Sequence, residues 1–163
     1  MSPQRWRLDG QLALVTGGSA GIGRAIAREL LGFGARVLIA ARDGNGLDAV
    51  RIELEEEFPD GEVRTFVSDV SDDEQRRELL DWVEDIGDGL NILVNNAGSN
   101  LTKSAIDYSE DEWRNIFETN LFSAFELARS TYPLLTKHAA SCIVNVGSVS
   151  AITHVRSGAP YGM

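Results

Sequence analysis

The chain has 163 residues, of which 43% are hydrophobic and 25% charged; these values are typical of one globular domain and exclude collagen-like and wholly disordered proteins. Acidic residues outnumber basic residues by 25 to 15, giving a net charge of −10. Such a field repels polyphosphate and argues against general nucleic-acid binding. No apolar stretch approaches the roughly 18 residues of a membrane-spanning helix, and residues 1–9 lack a signal peptide's apolar segment. We therefore expect a soluble, cytoplasmic protein without a membrane partner.

Five short apolar runs predict β-strands, at residues 12–15, 37–39, 63–67, 92–94 and from 142 onward. Arg64 and Thr65 make the third run partly polar, which favours a position at the edge of a sheet. The fifth run contains the single cysteine, Cys142, which cannot form an internal disulfide. Because its neighbours are apolar, we predict a buried thiol in a reducing compartment.

Apolar residues at helical spacing fill the segments between the strands. The first helix contains Ile22 and is closed by Gly32 and Gly34, since glycine commonly ends helices. The second is marked by apolar residues between Leu47 and Phe58, and its other face is acidic.

Two further helices begin with the spacing of a capping box, Ser71 with Glu74 and Ser109 with Glu112. The later one is long, and we predict that it buries an apolar stripe. On the way to Pro133 this stripe contains Trp113, Ile116, Phe117, Leu121 and Ala124.

Alternating strands and helices, with nearly continuous apolar strands, predict a parallel sheet covered by helices on both faces. Right-handed crossovers then give a doubly wound α/β sheet. We expect the Rossmann type, whose strand order is 3-2-1-4-5. Dinucleotide-binding sheets of this type normally have about six strands, and the sequence contains five. We interpret residues 1–163 as a single dinucleotide-binding domain that lacks later strands, the N-terminal part of a longer domain.

A glycine-rich segment, Thr16–Gly23, lies between the first strand and the first helix. Gly17 permits a tight turn, Gly21 allows the backbone to approach a diphosphate, and Gly23 allows close packing of helix on strand. Free N–H groups and the dipole at the start of the helix attract the anion. The alternative is a glycine-rich turn without a ligand.

The spacing Gly-x-x-x-Gly-x-Gly resembles that of the classical short-chain dehydrogenase/reductase family, and the resemblance extends from Leu8 to the last residue. Within the family, the tropinone-reductase-like and 3-oxoacyl-reductase-like members are the most similar in local sequence. The other matching residues are Asn95-Asn96-Ala97-Gly98, Asn120, Ser148 and Tyr161.

The end of the second strand is where a dinucleotide's adenosine ribose is bound, by an acidic residue for NAD or near an arginine for NADP. In the family the acidic residue occupies the position of Ala41, and Arg42 follows it. A guanidinium can bind a phosphate with paired hydrogen bonds, so the sequence favours NADP(H). Two features leave NAD open. Asp43 is adjacent, and Ala20 stands where many NADP-using relatives carry a basic residue.

The resemblance further implies that Asp69 and Val70 meet the adenine and that Asn96 lies on the ribose side of the cofactor. No metal site is expected. The residues predicted to bind the cofactor are Thr16, Gly17, Ser19, Ala20, Gly21, Ile22, Gly23, Arg42, Asp69, Val70, Asn96, Ala97, Gly98 and Tyr161.

Reduction of a carbonyl by hydride needs a proton donor and a second hydrogen bond at the carbonyl oxygen. The resemblance implies that Tyr161 is the general acid and base, that Ser148 bonds the oxygen, and that Asn120 orders a water in the proton relay. Each has a simpler explanation: a turn serine, a surface tyrosine, and a core asparagine with satisfied hydrogen bonds.

A tyrosine hydroxyl is a weak acid and exchanges protons near neutral pH only with help from a nearby ammonium group. The family places a lysine four residues after the tyrosine, whereas this sequence has two residues after Tyr161, and neither Lys103 nor Lys137 fits the spacing. Two hypotheses remain open. The chain is part of an NADP(H)-dependent oxidoreductase that interconverts a carbonyl and a secondary alcohol and is inactive alone, or it is a nucleotide-binding or partner-binding remnant without turnover.

The residues do not select a substrate beyond a small carbonyl or alcohol compound. The resemblance implies a homodimer or homotetramer for a full-length member, assembled partly through the long helix that contains Asn120.

Overall fold

Five parallel strands form one sheet in the computed structural model, which describes residues 6–87, 89–153 and 158–163. The strand order is β3-β2-β1-β4-β5, which confirms the predicted order 3-2-1-4-5 and the doubly wound α/β class. The strands are β1 (Leu12–Thr16), β2 (Arg36–Ala41), β3 (Val63–Val67), β4 (Ile92–Asn95) and β5 (Cys142–Asn145).

The connections between the strands contain the helices. A π-helical turn, Glu118–Phe122, separates two of them, and short 3₁₀ turns occur at Ala105–Asp107, Val149–Ala151 and Ala159–Gly162. The α-helices are α1 (Gly21–Gly32), α2 (Gly44–Glu57), α3 (Asp73–Ile86), α4 (Glu110–Phe117) and α5 (Ser123–Leu135). None of the helices in the described part of the chain is both long enough and apolar enough to span a bilayer.

The central strand β1 is buried along its whole length because helices cover both faces of the sheet. Its side chains alternate between two cores, as the pleat requires. Ala13 and Val15 pack with α1 and α2, and Leu12 and Leu14 pack with α3 and α5. Because all the strand pairs are parallel, the carboxyl ends of the strands lie at the same end of the sheet, where open α/β sheets bind ligands.

The two edge strands differ from each other. β3 lies at one edge and pairs with β2 alone, which confirms the position indicated by Arg64 and Thr65. β5 lies at the other edge, pairs with β4, and has four exposed residues. The prediction of a buried thiol is therefore wrong: Cys142 is exposed, because the described residues cover neither face of β5 completely.

The two predicted capping boxes have different outcomes. The Ser109 box is confirmed, since its hydroxyl accepts a hydrogen bond from the Glu112 N–H and the Glu112 carboxylate accepts one from the Ser109 N–H. The Ser71 box is wrong, because Asp72 caps α3 and accepts from two backbone N–H groups. The Ser71 hydroxyl donates instead to the Asp69 carboxylate, at 2.6 Å.

The apolar stripe predicted for the long helix is partly wrong. Ile116 is buried as expected, but Leu121 is 53% exposed. The π-helical turn has more residues per turn than an α-helix. After it, the residues that face the sheet are therefore not the ones that regular helical spacing predicts. The buried residues of this helix are Ile116, Thr119, Ser123, Leu127, Thr131, Leu134 and Leu135.

Candidate functional site

The glycine loop between β1 and α1 is folded so tightly that Gly17 and Gly23, like Gly18 between them, have no room for a side chain. Gly17 has a φ of 66°, and a Cβ there would lie 2.8 Å from the Ala97 Cα. A Cβ on Gly23 would lie 2.4 Å from the Asn96 Nδ2 and 2.5 Å from the Gly17 carbonyl oxygen. The predicted roles of the two glycines, tight turn and close helix packing, fit these contacts.

Hydrogen bonds fasten this loop to the end of β4. The Asn96 Nδ2 donates to the carbonyl oxygens of Thr16 and Gly17, at 2.9 and 3.1 Å. The Thr16 hydroxyl donates to the Val94 carbonyl and accepts from the N–H groups of Asn96 and Ala97, both at 3.1 Å. These bonds from both side chains therefore fix the shape of the loop.

The first turn of α1 is available to an anion. Its N-cap residue, Ala20, makes no side-chain cap, and no acidic residue lies in the first turn. The partial positive charge of the helix N-terminus is therefore not neutralised locally. Ile22, the second residue of this turn, is exposed.

A cleft of about 240 Å³ continues from the glycine loop across the carboxyl ends of β2, β3 and β4. It brings together seven of the residues predicted to bind the cofactor: Gly17, Ser19, Arg42, Asp69, Val70, Ala97 and Gly98. Three other lining residues, Ala40, Ala41 and Asp43, lie beside Arg42. Ser68 and Thr119 also line the cleft and were not predicted. One feature of the sequence could have pointed to Thr119: it is a polar residue three positions after Ile116, and therefore on the apolar side of the helix.

Charges at the rim of the cleft come from Arg42 and Asp69, whose Nη1 and Oδ2 are 3.6 Å apart. Partial burial alone would raise the pKa of the Asp69 carboxyl, but hydrogen bonds from Ser71 and the nearby guanidinium hold it below its ordinary value of 3.8. Arg42 remains 59% exposed, so its guanidinium can turn toward an anion in the cleft. Ala41 carries no carboxylate that would repel a phosphate.

Asn120 lies in the π-helical turn, and both ends of its amide are bonded to one residue. Its Oδ1 accepts from the Ser99 N–H at 2.7 Å, and its Nδ2 donates to the Ser99 carbonyl at 2.8 Å. The side chain thus ties the helix to the loop that follows β4. Both polar ends of the partly buried amide therefore have a hydrogen-bond partner.

Beyond β5, Ser148 directly precedes the 3₁₀ segment Val149–Ala151, and Tyr161 lies in the neighbouring 3₁₀ segment Ala159–Gly162. The Ser148 hydroxyl caps the first segment and contacts the Ser150 hydroxyl at 3.1 Å. No hydrogen bond joins Ser148 to Tyr161 within the ranges that the structure describes. A second cavity of about 740 Å³ lies beside these segments, with lining residues that include Thr102, Lys103 and Ser150.

The arrangement as a whole offers one anion site, one cleft with an arginine at its rim, and hydroxyl groups near a larger cavity. An elongated ligand with a diphosphate in its middle matches the first two features. All three features lie at the carboxyl ends of the parallel strands, where other open α/β proteins bind ligands.

Comparison with known sequences agrees with this geometry. Residues 11–163 match the family described as short chain dehydrogenase. A tropinone reductase homolog of Arabidopsis thaliana is 42% identical over 160 residues, which cover 97% of this chain and 59% of the relative. Another from the same plant is 41% identical over 161 residues, covering 98% and 60%. The chain thus spans about 60% of the length of these curated relatives.

Solved structures are similar over nearly the whole chain. The Pseudomonas aeruginosa protein RhlG, in an active-site complex with NADP, has a TM-score of 0.90 and 34% identity, covering 99% of this chain and 62% of that one. The L-sorbose reductase of Gluconobacter frateurii, complexed with NADPH and L-sorbose, has a TM-score of 0.91 and 27% identity, covering 96% and 59%. With a family match that begins at Gln11 and reaches the last residue, the chain belongs to the short-chain dehydrogenase family.

Proposed function

We propose that this chain binds NADP(H) along the glycine loop and the cleft beside it. In this proposal the whole protein transfers hydride between the cofactor and a carbonyl or secondary alcohol. The observation that carries the proposal is the fastened loop, in which Asn96 and Thr16 hold the backbone so that the first turn of α1 faces a diphosphate. Several similar structures contain NADP, including RhlG and a metagenomic short-chain oxidoreductase.

The choice of NADP(H) over NAD(H) rests on the end of β2. Ala41 has no carboxylate for the ribose hydroxyls, and the exposed Arg42 stands at the rim of the cleft. A 2′-phosphate there would receive charge-assisted hydrogen bonds from the guanidinium. The guanidinium is 59% exposed and its ion pair with Asp69 is long, at 3.6 Å, so it can turn to make them.

For the chemical step we propose Tyr161 as general acid and base, and Ser148 as the hydrogen-bond donor that holds the carbonyl oxygen. The hydride is supplied by the nicotinamide ring of the cofactor. Asn120 is proposed to order a water molecule in the proton relay, and its bonds to Ser99 hold this part of the helix in place. The cavity beside Ser150 is the proposed entry for the substrate.

The test of cofactor choice is the affinity of the chain for NADPH and NADH, measured by calorimetry for wild type and Arg42→Ala. We expect NADPH to bind wild type more tightly. The variant should lose at least about tenfold in NADPH affinity, since hydrogen bonds to charged groups contribute about 1.5–3 kcal/mol. NADH affinity should stay within about twofold, because NADH has no 2′-phosphate to lose.

Arg51→Ala is a matched control, because Arg51 is an arginine of α2 that is paired with Glu55 on the outer surface. It should leave both affinities unchanged. Equal weakening of NADH and NADPH by Arg42→Ala would contradict the phosphate contact. Absence of binding of either cofactor to wild type would contradict the proposed function altogether. For the whole protein, bound NADPH that no ketone or aldehyde oxidises would contradict the redox reaction.

A further inference from the structure

Thr119, in the π-helical turn, has a buried hydroxyl group with no hydrogen-bond partner in the described part of the chain. The residue is only 4% exposed. The two other buried hydroxyl residues of this helix are Ser123 and Thr131, which donate to the carbonyl oxygens four residues earlier, at 2.6 and 2.7 Å. Thr119 thus lacks the local bond that its neighbours make.

An unpaired buried hydroxyl is unfavourable and needs an explanation, because burial removes its hydrogen bonds to water. The position of Thr119 supplies one, since the residue lines the cleft beside the glycine loop. The other buried hydroxyl of the cleft belongs to Ser68 and donates to the Gln75 carbonyl. Among the buried side chains that line this cleft, Thr119 is therefore the one whose hydroxyl has no hydrogen-bond partner in the described part of the chain.

The part of the cleft near Thr119 is its adenosine end under the proposed function. Arg42 and Asp69 line the same space, at the ends of β2 and β3. Threonine populates two rotamers in helices, and rotation about its Cα–Cβ bond exchanges the methyl and hydroxyl positions. Such a rotation would turn the hydroxyl of this cleft-lining residue toward the cleft without movement of the backbone.

We propose that Thr119 recognises the base of the bound nucleotide, with its hydroxyl forming a hydrogen bond to the nitrogen-rich edge of adenine. A hydroxyl both donates and accepts, so it can serve either the amino group or a ring nitrogen. This inference rests on the proposed binding of NADP(H) and adds a contact that selects the purine rather than the phosphate.

The test compares Thr119→Val with wild type for two ligands, NADPH and adenosine 2′,5′-bisphosphate, which lacks the nicotinamide half. Valine preserves the branched shape and removes the hydroxyl. We expect both affinities to fall by about fivefold, the effect of one neutral hydrogen bond, and Thr119→Ser to remain within about twofold of wild type. Without ligand, the Thr119→Val chain should resist urea at least as well as wild type, because the substitution removes an unpaired polar group.

Thr131→Val is the matched control, a buried threonine of the same helix whose hydroxyl bonds to Leu127; its ligand affinities should equal those of wild type. Thr119→Ala provides a second hydroxyl-free variant should the valine variant fold poorly. Wild-type affinity of Thr119→Val for the bisphosphate would overturn the inference while leaving the proposed function intact. A loss confined to NADPH would also overturn it. If wild type bound neither ligand, the proposed function itself would fail and this inference with it.

Discussion

At the scale of single residues, the glycine loop and Asn96 fit together with no spare volume. The Asn96 amide occupies the space that a side chain on Gly23 would need, and in that space it bonds two carbonyl oxygens of the loop. The spacing of the glycines predicted the turn, but it contained no sign that an asparagine about 73 residues beyond Gly23 completes it. The loop and the end of β4 therefore form one unit.

The first prediction at this scale concerns Gly23→Ala. The added methyl group would overlap the Asn96 amide and the Gly17 carbonyl, so we expect a loss of about 1–3 kcal/mol in unfolding free energy and weaker NADPH binding. Urea unfolding and calorimetry measure the two effects.

Gly32→Ala, at the other end of α1, is the control. A Cβ there would lie 3.6 Å from the Phe58 ring, an ordinary contact, and alanine favours helix. Unchanged or slightly higher stability is expected. If Gly23→Ala behaved like Gly32→Ala, the close packing would not limit this position.

At the scale of secondary-structure elements, the long helix after β4 departs most from its sequence pattern. The π-helical turn places Thr119 against the cleft and Asn120 against Ser99, while Leu121 and Phe122 face outward. If the helix were regular, the spacing of its apolar residues would place Leu121 in the core. An inserted residue changes the register for everything that follows it, which periodicity alone does not reveal.

The second prediction concerns the start of that helix. Ser109→Ala removes the side-chain acceptor of the capping box and should destabilise the chain by about 1 kcal/mol. The matched control is Ser104→Ala. Ser104 precedes a 3₁₀ turn but makes no side-chain cap, so its replacement should be neutral. Urea unfolding compares the two variants, and equal stabilities would show that the Ser109 cap contributes nothing.

At the scale of the whole molecule, ion pairs between elements accompany the large negative charge. Arg36 at the start of β2 forms two hydrogen bonds with Glu62 just before β3, at 2.6 and 3.0 Å. These bonds are the main cause of a Glu62 pKa below its ordinary value of 4.5, and a nearby Arg64 adds to the effect. Asp69 also has a lowered pKa.

The third prediction is that acid weakens the fold partly through Glu62. Its pKa is lower in the folded than in the unfolded chain, so the unfolded state binds more protons as the pH falls below about 4.5. The stabilisation is present above that pH and is lost as the pH falls through the folded-state pKa. Urea midpoints between pH 6 and pH 3 should therefore fall less steeply for Glu62→Gln than for wild type. Glu56→Gln removes an exposed carboxylate without an ion pair in the described residues, and its slope should match wild type.

The linear sequence was sufficient for the five strands and the glycine turn, and the strand order followed from the Rossmann type assigned to them. Strands buried on both faces require continuous apolar runs, right-handed crossovers restrict their order, and a tight turn before a helix requires glycine, so each leaves a local pattern. The family resemblance supplied the candidate residues around this framework. The helix caps were predicted less well. The sequence indicated Ser71 as the N-cap of α3, whereas the next residue, Asp72, makes the cap.

Other features depend on contacts between segments far apart in the chain. Asn96 bonds Thr16 across 80 residues, and Thr119 reaches a cleft formed by the ends of three strands. Cys142 is exposed because the described residues cover neither face of β5 completely. Apolar periodicity describes which side of an element is buried, but not which distant segment covers it or where that cover ends. Those outcomes follow from packing in three dimensions, where each side chain's environment is set by whichever segments fill the space around it.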